Sequence, residues 1–245
     1  ETKMIDKVQV IAEYQQQTQT NNALLIGFWA TLDNFSHEIS RKRTESHLSP
    51  ELFIEWQAQN NWMFYARVSE GIKSGGFDHS FAFAESRSDK LEYDEERANN
   101  VEIGTKYLFR GGSLNAALFH TTYDDLQVST FDGTANFVVG NAAKTTAKGV
   151  ELSAKFNIFD ELTFGGNIAY LHSRYDSFDN AACYFQQPMC DEGLQDLSGK
   201  TTQFSPPWSV SLYGDYELSV GDYYINVGID AIYRDKHSIA NDLDP

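Results

Sequence analysis

Six histidines are scattered through the chain, at positions 37, 47, 79, 120, 172 and 237. His120 with Asp124 and Asp125, and His172 with Asp176, have the residue types for acid–base pairs. Each also sits where a strand would run out into a polar mouth, and no catalytic constellation forms around either. No His/Cys cluster has the spacing of a metal site. Asp176, Asp179, Asp191, Glu192 and Asp196 offer oxygen ligands in one long loop, but lack the regular register that a Ca2+ loop needs. The sequence therefore predicts no catalytic residue, no metal and no cofactor. Cys183 and Cys190 are the only cysteines, and they lie in a segment rich in Asp, Asn, Gly and Pro. A disulfide closing such a polar loop suits an extracytoplasmic compartment.

The elements that carry these residues read as strands. Between Tyr223 and Tyr233 one alternate set is Tyr223, Ile225, Val227, Ile229, Ala231 and Tyr233; the other is Tyr224, Asn226, Gly228, Asp230 and Ile232. A period of two sends the sets to opposite faces. An apolar stripe bounded by aromatics and backed by a polar stripe is what a strand needs between lipid and a wet lumen. Similar alternation spans Val8–Tyr14, Leu24–Leu32, Leu52–Gln57, Trp62–Ser69, Val101–Phe109, Val150–Phe156, Leu162–Tyr170 and Trp208–Tyr216, with a less distinct stretch over Ser113–Tyr123. About ten strands follow, most near the ~9–11 residues that cross a tilted bilayer path.

Composition is compatible with this. The 245 residues carry Lys+Arg 19 against Asp+Glu 35, a formal net charge of -16. Phosphate neutralisation needs clustered cations, so nucleic acid is not the expected partner. Hydrophobic residues make up 41%, and no apolar run reaches the length of a spanning helix. Barrel strands hide half their residues in a polar interior, so a modest mean hydropathy does not argue against a membrane wall.

Connections alternate in length. The segments 57–61, 110–112, 157–161 and 218–222 are tight, built on Asn, Gly and Asp. The segments 33–49, 71–100, 124–147 and 172–207 are long. Short turns on one side and long loops on the other are the habit of outer-membrane barrels. Inner positions could then carry Arg67, Lys106, Glu151, Lys155 and Asp215, which a dry sandwich core would tolerate only when paired.

Tyr65–Phe77 reads Y-A-R-V-S-E-G-I-K-S-G-G-F, and Asn99–Lys106 reads N-N-V-E-I-G-T-K. Further strand exits and entries are Leu118–Val128 (L-F-H-T-T-Y-D-D-L-Q-V), Asn141–Leu152 (N-A-A-K-T-T-A-K-G-V-E-L) and Pro206-Pro207-Trp208. Together these motifs resemble those of TonB-dependent outer-membrane receptors. The order is the family's, across residues of about 60 to 216. Residues before Ser49 match poorly, and His37–Leu48 reads as a short, charged external loop.

The resemblance implies an all-β fold: an antiparallel transmembrane β-barrel, with residues 1–245 forming part of a 22-stranded plugged wall. It implies an outer-membrane location and import of a scarce bulky nutrient, foremost a ferric siderophore, driven through TonB. Partners would be outer-membrane lipid, a small-molecule ligand such as an iron chelate, and a plug domain and TonB engaged through parts not seen in this chain. Aromatics among polar loop residues suit a flat, partly apolar ligand, which makes Phe77, Phe81, Tyr93, Phe131 and Phe137 candidate contacts, with lumen-facing Tyr65 and Arg67 behind them. Loop packing is the plainer role for each aromatic. Cobalamin and oligosaccharide remain alternative ligands. A ten-stranded outer-membrane enzyme of protease type and a soluble sandwich are the other classes.

Overall fold

A computed structural model describes residues 2–12, 37–78, 92–131, 137–184, 187, 190, 194–240 and 243. In chain order the strands are β1 (Thr2–Ala12), β2 (His37–His47), β3 (Glu51–Gln59), β4 (Trp62–Lys73), β5 (Gly76–Phe77), β6 (Glu92–Tyr93) and β7 (Glu96–Phe109). They continue with β8 (Gly112–Phe131), β9 (Phe137–Phe159), β10 (Leu162–Ser177), β11 (Ala181–Ala182), β12 (Leu194–Gln195), β13 (Trp208–Val220) and β14 (Tyr223–Arg234). No helix occurs among the described residues. Eight strands form one antiparallel meander in the order β14-β13-β10-β9-β8-β7-β4-β3, and β1 pairs with β2 apart from it. The predicted stripe Leu24–Leu32 lies outside the described residues.

Two-residue turns at 60–61, 110–111, 160–161 and 221–222 close one end of the sheet. Gly111 (φ +85°) and Gly221 (φ +63°) supply the left-handed backbone that two of these turns require. The opposite end carries the long connections, but strand pairing runs further into them than hydrophobic alternation indicated. β8 is 20 residues long and β9 is 23, pairing out to Phe131 and Phe137. Past the lipid band both faces meet water, so the alternation disappears while the hydrogen-bond ladder persists. His37–His47 corrects the reading of a loop there: it is strand β2, in register with β1 from Thr2↔His47 to Ala12↔His37. Its charges gave no period-two hydrophobic signal, so backbone pairing alone defines it.

Register sorts the meander into two faces. Ile54, Ala66, Ile103, Leu118, Val150, Tyr170 and Trp208 stand side by side across seven strands. One residue along, Glu55, Tyr65, Gly104, Ala117, Glu151, Ala169, Ser209 and Arg234 form the opposite face. The row after that is Gln57, Met63, Lys106, Asn115, Ser153, Asn167 and Ser211. Arg67, Lys106, Glu151, Lys155 and Asp215 all belong to this polar face.

The apolar face is uncovered. Ile225, Val227 and Ile229 are 47%, 58% and 71% exposed, with no second protein layer over them among the described residues. Aromatic rings mark both margins. Trp56–Phe64 (5.6 Å), Trp62–Tyr107 (5.6 Å) and Phe109–Phe156 (5.6 Å) lie toward the tight turns, and Tyr170–Trp208 (4.9 Å) toward the loops. From Tyr223 to Tyr233 are ten steps; at about 3.4 Å per step and a tilt of about 45° they rise about 24 Å. That matches the roughly 25 Å apolar band of a membrane barrel. Apolar area this large is stable in water only when covered, and lipid covers it at no conformational cost to the chain.

Among the described residues, packing of the ordinary kind is confined to the loop end. Tyr175 (1% exposed) and Phe178 (0%) are the largest fully buried side chains among the described residues, in contact at 5.0 Å between ring centroids. Val128, Ala143, Ala181 and Leu197 complete this small core. Cys183 and Cys190 are joined by a disulfide, with Cα atoms 6.4 Å apart, in the connection between β11 and β12.

Candidate functional site

The base of the long β4–β7 connection is held by side-chain amides from β8 and β9. Gln127 donates to the carbonyls of Ser74 (2.9 Å) and Asp94 (3.0 Å), and so ties both legs of that connection together. Its backbone N–H donates to Glu96 Oε2 at 2.9 Å. Asn141 accepts from the Asp94 N–H (2.6 Å) and donates to the carbonyls of Asp94 (2.8 Å) and Asp125 (2.8 Å). Asp78, buried, accepts from the Val139 N–H at 2.5 Å. A register shift between Tyr123 and Leu126, with Asp125 in the left-handed region (φ +55°), turns the Asp125 carbonyl to Asn141. Three segments resembling family motifs, Ser74–Phe77, Asp124–Val128 and Asn141–Ala143, thus meet at the Asp94–Glu96 leg of the connection.

That clamp carries the aromatics Phe77 and Tyr93. They lie on the paired strands β5 and β6, and both are half-buried. The Tyr93 ring rests on Gly76, where a Cβ would come within 2.6 Å of the phenol oxygen. Phe131 and Phe137 are cross-strand partners at the far tip of β8 and β9. Phe81 lies outside the described residues. Tyr175 and Phe178 are packing residues of the loop core.

Tyr65 and Arg67 lie further down β4, in the wall. Tyr65 lines an open concavity of about 390 Å³ on the polar face, together with Lys106, Asn115, Glu151, Ser153 and Asn167. Its hydroxyl donates to Glu102 at 2.7 Å, and the Lys106 ammonium stands 5.8 Å from its ring centroid. Its ring lies flat across Gly104, where any Cβ would fall 2.4 Å from Cζ. Tyr213 does the same over Gly165 at 2.5 Å. Aromatics laid over a facing glycine keep this face shallow and shield the bare backbone. Arg67 donates to Glu51 at 2.7 Å. The structure therefore joins Phe77 with Tyr93 and leaves Tyr65 and Arg67 on a separate surface.

A charged chain braces the same loop base from β2. Arg43 engages Glu45, Glu92 (2.7 Å), Asp94 (3.2 Å) and the Tyr93 carbonyl (3.1 Å). Glu45 faces His47 Nε2 at 3.2 Å; His47 Nδ1 faces Glu95 at 3.1 Å; and Glu95 pairs with Arg97. Burial pushes the Glu45 carboxyl up, but hydrogen bonds from His47 and Arg43 and the Arg43 charge outweigh it and hold it below the ordinary carboxylate range. Glu45, His47 and Glu95 are grouped closely enough to suggest a cation. The two carboxylates nevertheless face opposite ring nitrogens, and arginines take their other oxygens. This arrangement fits an ion-pair chain better than a metal site, where one imidazole nitrogen and both carboxylates would converge on one point.

The acid–base pairs drawn from the sequence do not form. Asp124 engages Lys144 at 3.0 Å, and Asp176 engages Arg174 (3.3 Å) and Thr146 (2.5 Å). Sequence reasoning gave no role to Gln127, Asn141, Asp78 or the Arg43–Glu45–His47 chain. The available signal was an amide side chain at each of two strand exits inside segments already resembling family motifs.

A family model described as "TonB dependent receptor-like, beta-barrel" matches residues 13–244. A pesticin receptor of Yersinia pestis is 29% identical over 116 residues, covering 47% of this chain and 16% of the relative. The pesticin receptor of Yersinia enterocolitica is 28% identical over the same length and the same shares. Among solved structures, the ferric yersiniabactin uptake receptor FyuA from Yersinia pestis superposes with a TM-score of 0.65 at 18% identity, over 86% of this chain and 29% of that one. The siderophore receptor PiuA from Acinetobacter baumannii gives 0.60 at 19%, over 83% and 28%. At such identities the superpositions speak for the fold alone. The chain spans about a sixth of the length of the curated relatives it matches.

Proposed function

Since the chain belongs to the TonB-dependent receptor-like β-barrel family, we propose that it forms wall and external loops of an outer-membrane receptor that imports a ferric siderophore. The plug and the parts that engage TonB are contributed outside residues 1–245. The observation that carries the transport reading is the two-faced wall: an uncovered apolar face with aromatic margins, backed by a polar face, with the long connections of the eight-stranded meander at one end among the described residues. The iron-chelate reading is supported by the relatives, which are named as pesticin receptors and as a ferric yersiniabactin uptake receptor.

In this reading the Gln127–Asn141 clamp presents Phe77 and Tyr93 at the mouth, and Phe81, Phe131 and Phe137 belong to the same set of external aromatics. Flat or partly apolar chelates bind such surfaces through ring faces. The polar wall around Tyr65 and Arg67 meets the plug or the passing solute with hydrogen-bonding groups. Outer-membrane lipid covers the other face.

The test is radioactive iron uptake by iron-starved cells expressing the full-length receptor, across a panel of ferric chelates, with and without a functional TonB system. Energy-dependent uptake of at least one chelate is expected. Uptake of cobalamin or an oligosaccharide, with no chelate transported, would replace the ligand class and leave the receptor reading intact.

A further inference from the structure

Beyond the aromatic margin, the membrane-side face carries a row of basic residues. His120 is the cross-strand partner of Lys148, and Lys148 of His172. All three are exposed, and each lies two positions beyond a member of the Leu118–Val150–Tyr170 row, toward the long connections. None has an ion-pair partner among the described residues, whereas carboxylates nearby on this face are engaged: Asp124 with Lys144, Asp176 with Arg174 and Glu70 with Arg97. The row thus sets Lys148, an ammonium with no carboxylate partner among the described residues, between two imidazoles at one height of the wall.

Directly below the row the wall is grooved. A hollow of about 300 Å³ is lined by Phe64, Ile103, Thr105, Ala116, Leu118 and Val150 of the apolar rows, and its floor is reached by Tyr65, Gly104 and Ala117 of the row between them. Thr105 and Ala116 are neighbours across β7 and β8 and leave the depression, while bulkier residues rim it. Leu118 and Val150 stand between the groove and the His120–Lys148 pair, on the same two strands. One molecule can therefore lay an acyl chain in the hollow and place a headgroup phosphate against Lys148, with an imidazole N–H from either side.

We propose that this face binds a phosphorylated lipid of the outer leaflet, its phosphate on the His120–Lys148–His172 row and one acyl chain in the groove. The site rests on the reading of the wall as membrane-spanning. It stands apart from the loop aromatics Phe77 and Tyr93, so it would hold lipid whether or not a nutrient is bound there.

The experiment is native mass spectrometry of the full-length, detergent-purified receptor titrated with bis-phosphorylated lipid A, dephosphorylated lipid A or inorganic phosphate. Wild type is expected to retain the phosphorylated lipid about tenfold better than the dephosphorylated one, and Lys148→Glu to abolish that preference. Ala116→Trp, which fills the groove, is expected to weaken retention of both lipids. Heat-modifiable gel migration verifies that each variant folds. Equal retention of the two lipids, an unchanged preference in Lys148→Glu, or inorganic phosphate competing as well as the lipid would each overturn the site. A probe at Ile229→Cys, quenched by brominated lipid in vesicles, separates the two failures. Quenching with no lipid preference sinks the site alone, and no quenching sinks the membrane reading beneath it.

Discussion

Asn141 pairs with Asp94 as one strand residue pairs with another: its side-chain oxygen accepts from the Asp94 N–H at 2.6 Å and its amide nitrogen donates to the Asp94 carbonyl at 2.8 Å. A side chain has replaced a rung of backbone ladder. The advantage is geometric. Asp94 lies where β6 has ended and β7 has not begun, so no strand neighbour is in register to satisfy its peptide. An asparagine carries donor and acceptor at the spacing of a peptide group, and Gln127 supplies the longer reach needed for Ser74.

Replacing Asn141 by Asp keeps the acceptor and removes the donor, leaving a carboxylate against the Asp94 and Asp125 carbonyls. Such a loss costs roughly 1–3 kcal/mol where water does not replace the donor. Asn141→Asp and Gln127→Ala should each speed hydrogen exchange across residues 74–78 and 92–96 and weaken chelate binding, with folding of the wall unchanged. Exchange mass spectrometry on the full-length receptor checks both; unaltered exchange would remove the clamp from the account.

Gly104 faces the Tyr65 ring so closely that a side chain cannot coexist with it. Gly104→Val should drive the ring upright, break its hydrogen bond to Glu102 and destabilise the wall by about 1–3 kcal/mol, the usual cost of overpacking. The double variant Gly104→Val with Tyr65→Ala should recover part of that loss. Thermal unfolding followed by gel mobility measures it, and purely additive effects would show that the ring and the glycine are independent.

Phe178 is wholly buried in a core that belongs to the loops and not to the membrane wall. Phe178→Ala should cost about 3–5 kcal/mol of local stability. Protease cleavage between residues 178 and 207 should then accelerate on intact cells, while the strands stay protected. Reduction of the Cys183–Cys190 bond should act in the same direction by about 2.5 kcal/mol, the loop-closure value for so short a ring.

Legibility followed the environment of each residue. Between Tyr223 and Tyr233 lipid and lumen impose opposite demands on alternate positions, so both faces could be read from residue order. Above the band both faces of β8 and β9 meet water, and nothing in residue type records that pairing continues. His37–His47 failed for the same reason. Phe77 and Tyr93 could be named as external aromatics, but their shared support could not. The clamp depends on contacts such as Gln127 with Ser74, 53 residues apart, which no local pattern encodes.

Acid should loosen the brace from β2. Glu45 is held below the ordinary carboxylate range in the fold, so its contribution is present above the unfolded-state value and fades as pH falls through the folded-state value. Protection of the amides at residues 92–96, taken relative to their intrinsic exchange rate at each pH, should therefore fall on acidification through the carboxylate range, and Glu45→Gln should show the lower protection already at neutral pH. If Glu45→Gln and wild type exchange alike at both pH values, Arg43 alone braces the loop.

The sharpest test of the wall sets Ile229 against Asn226, on the other face of the same strand. Ile229 lies midway between the aromatic ends of β14, in register with Gly214, and is 71% exposed, with nothing over it among the described residues. In water, Ile229→Arg would be harmless or favourable. In a bilayer an arginine near the midplane costs about 2–4 kcal/mol, whereas Asn226→Arg, on the polar face, should cost little. Folding titrations of the full-length barrel into vesicles should show the Ile229 variant clearly destabilised and the Asn226 variant near wild type. Equal effects at the two positions would mean that lipid does not cover this face.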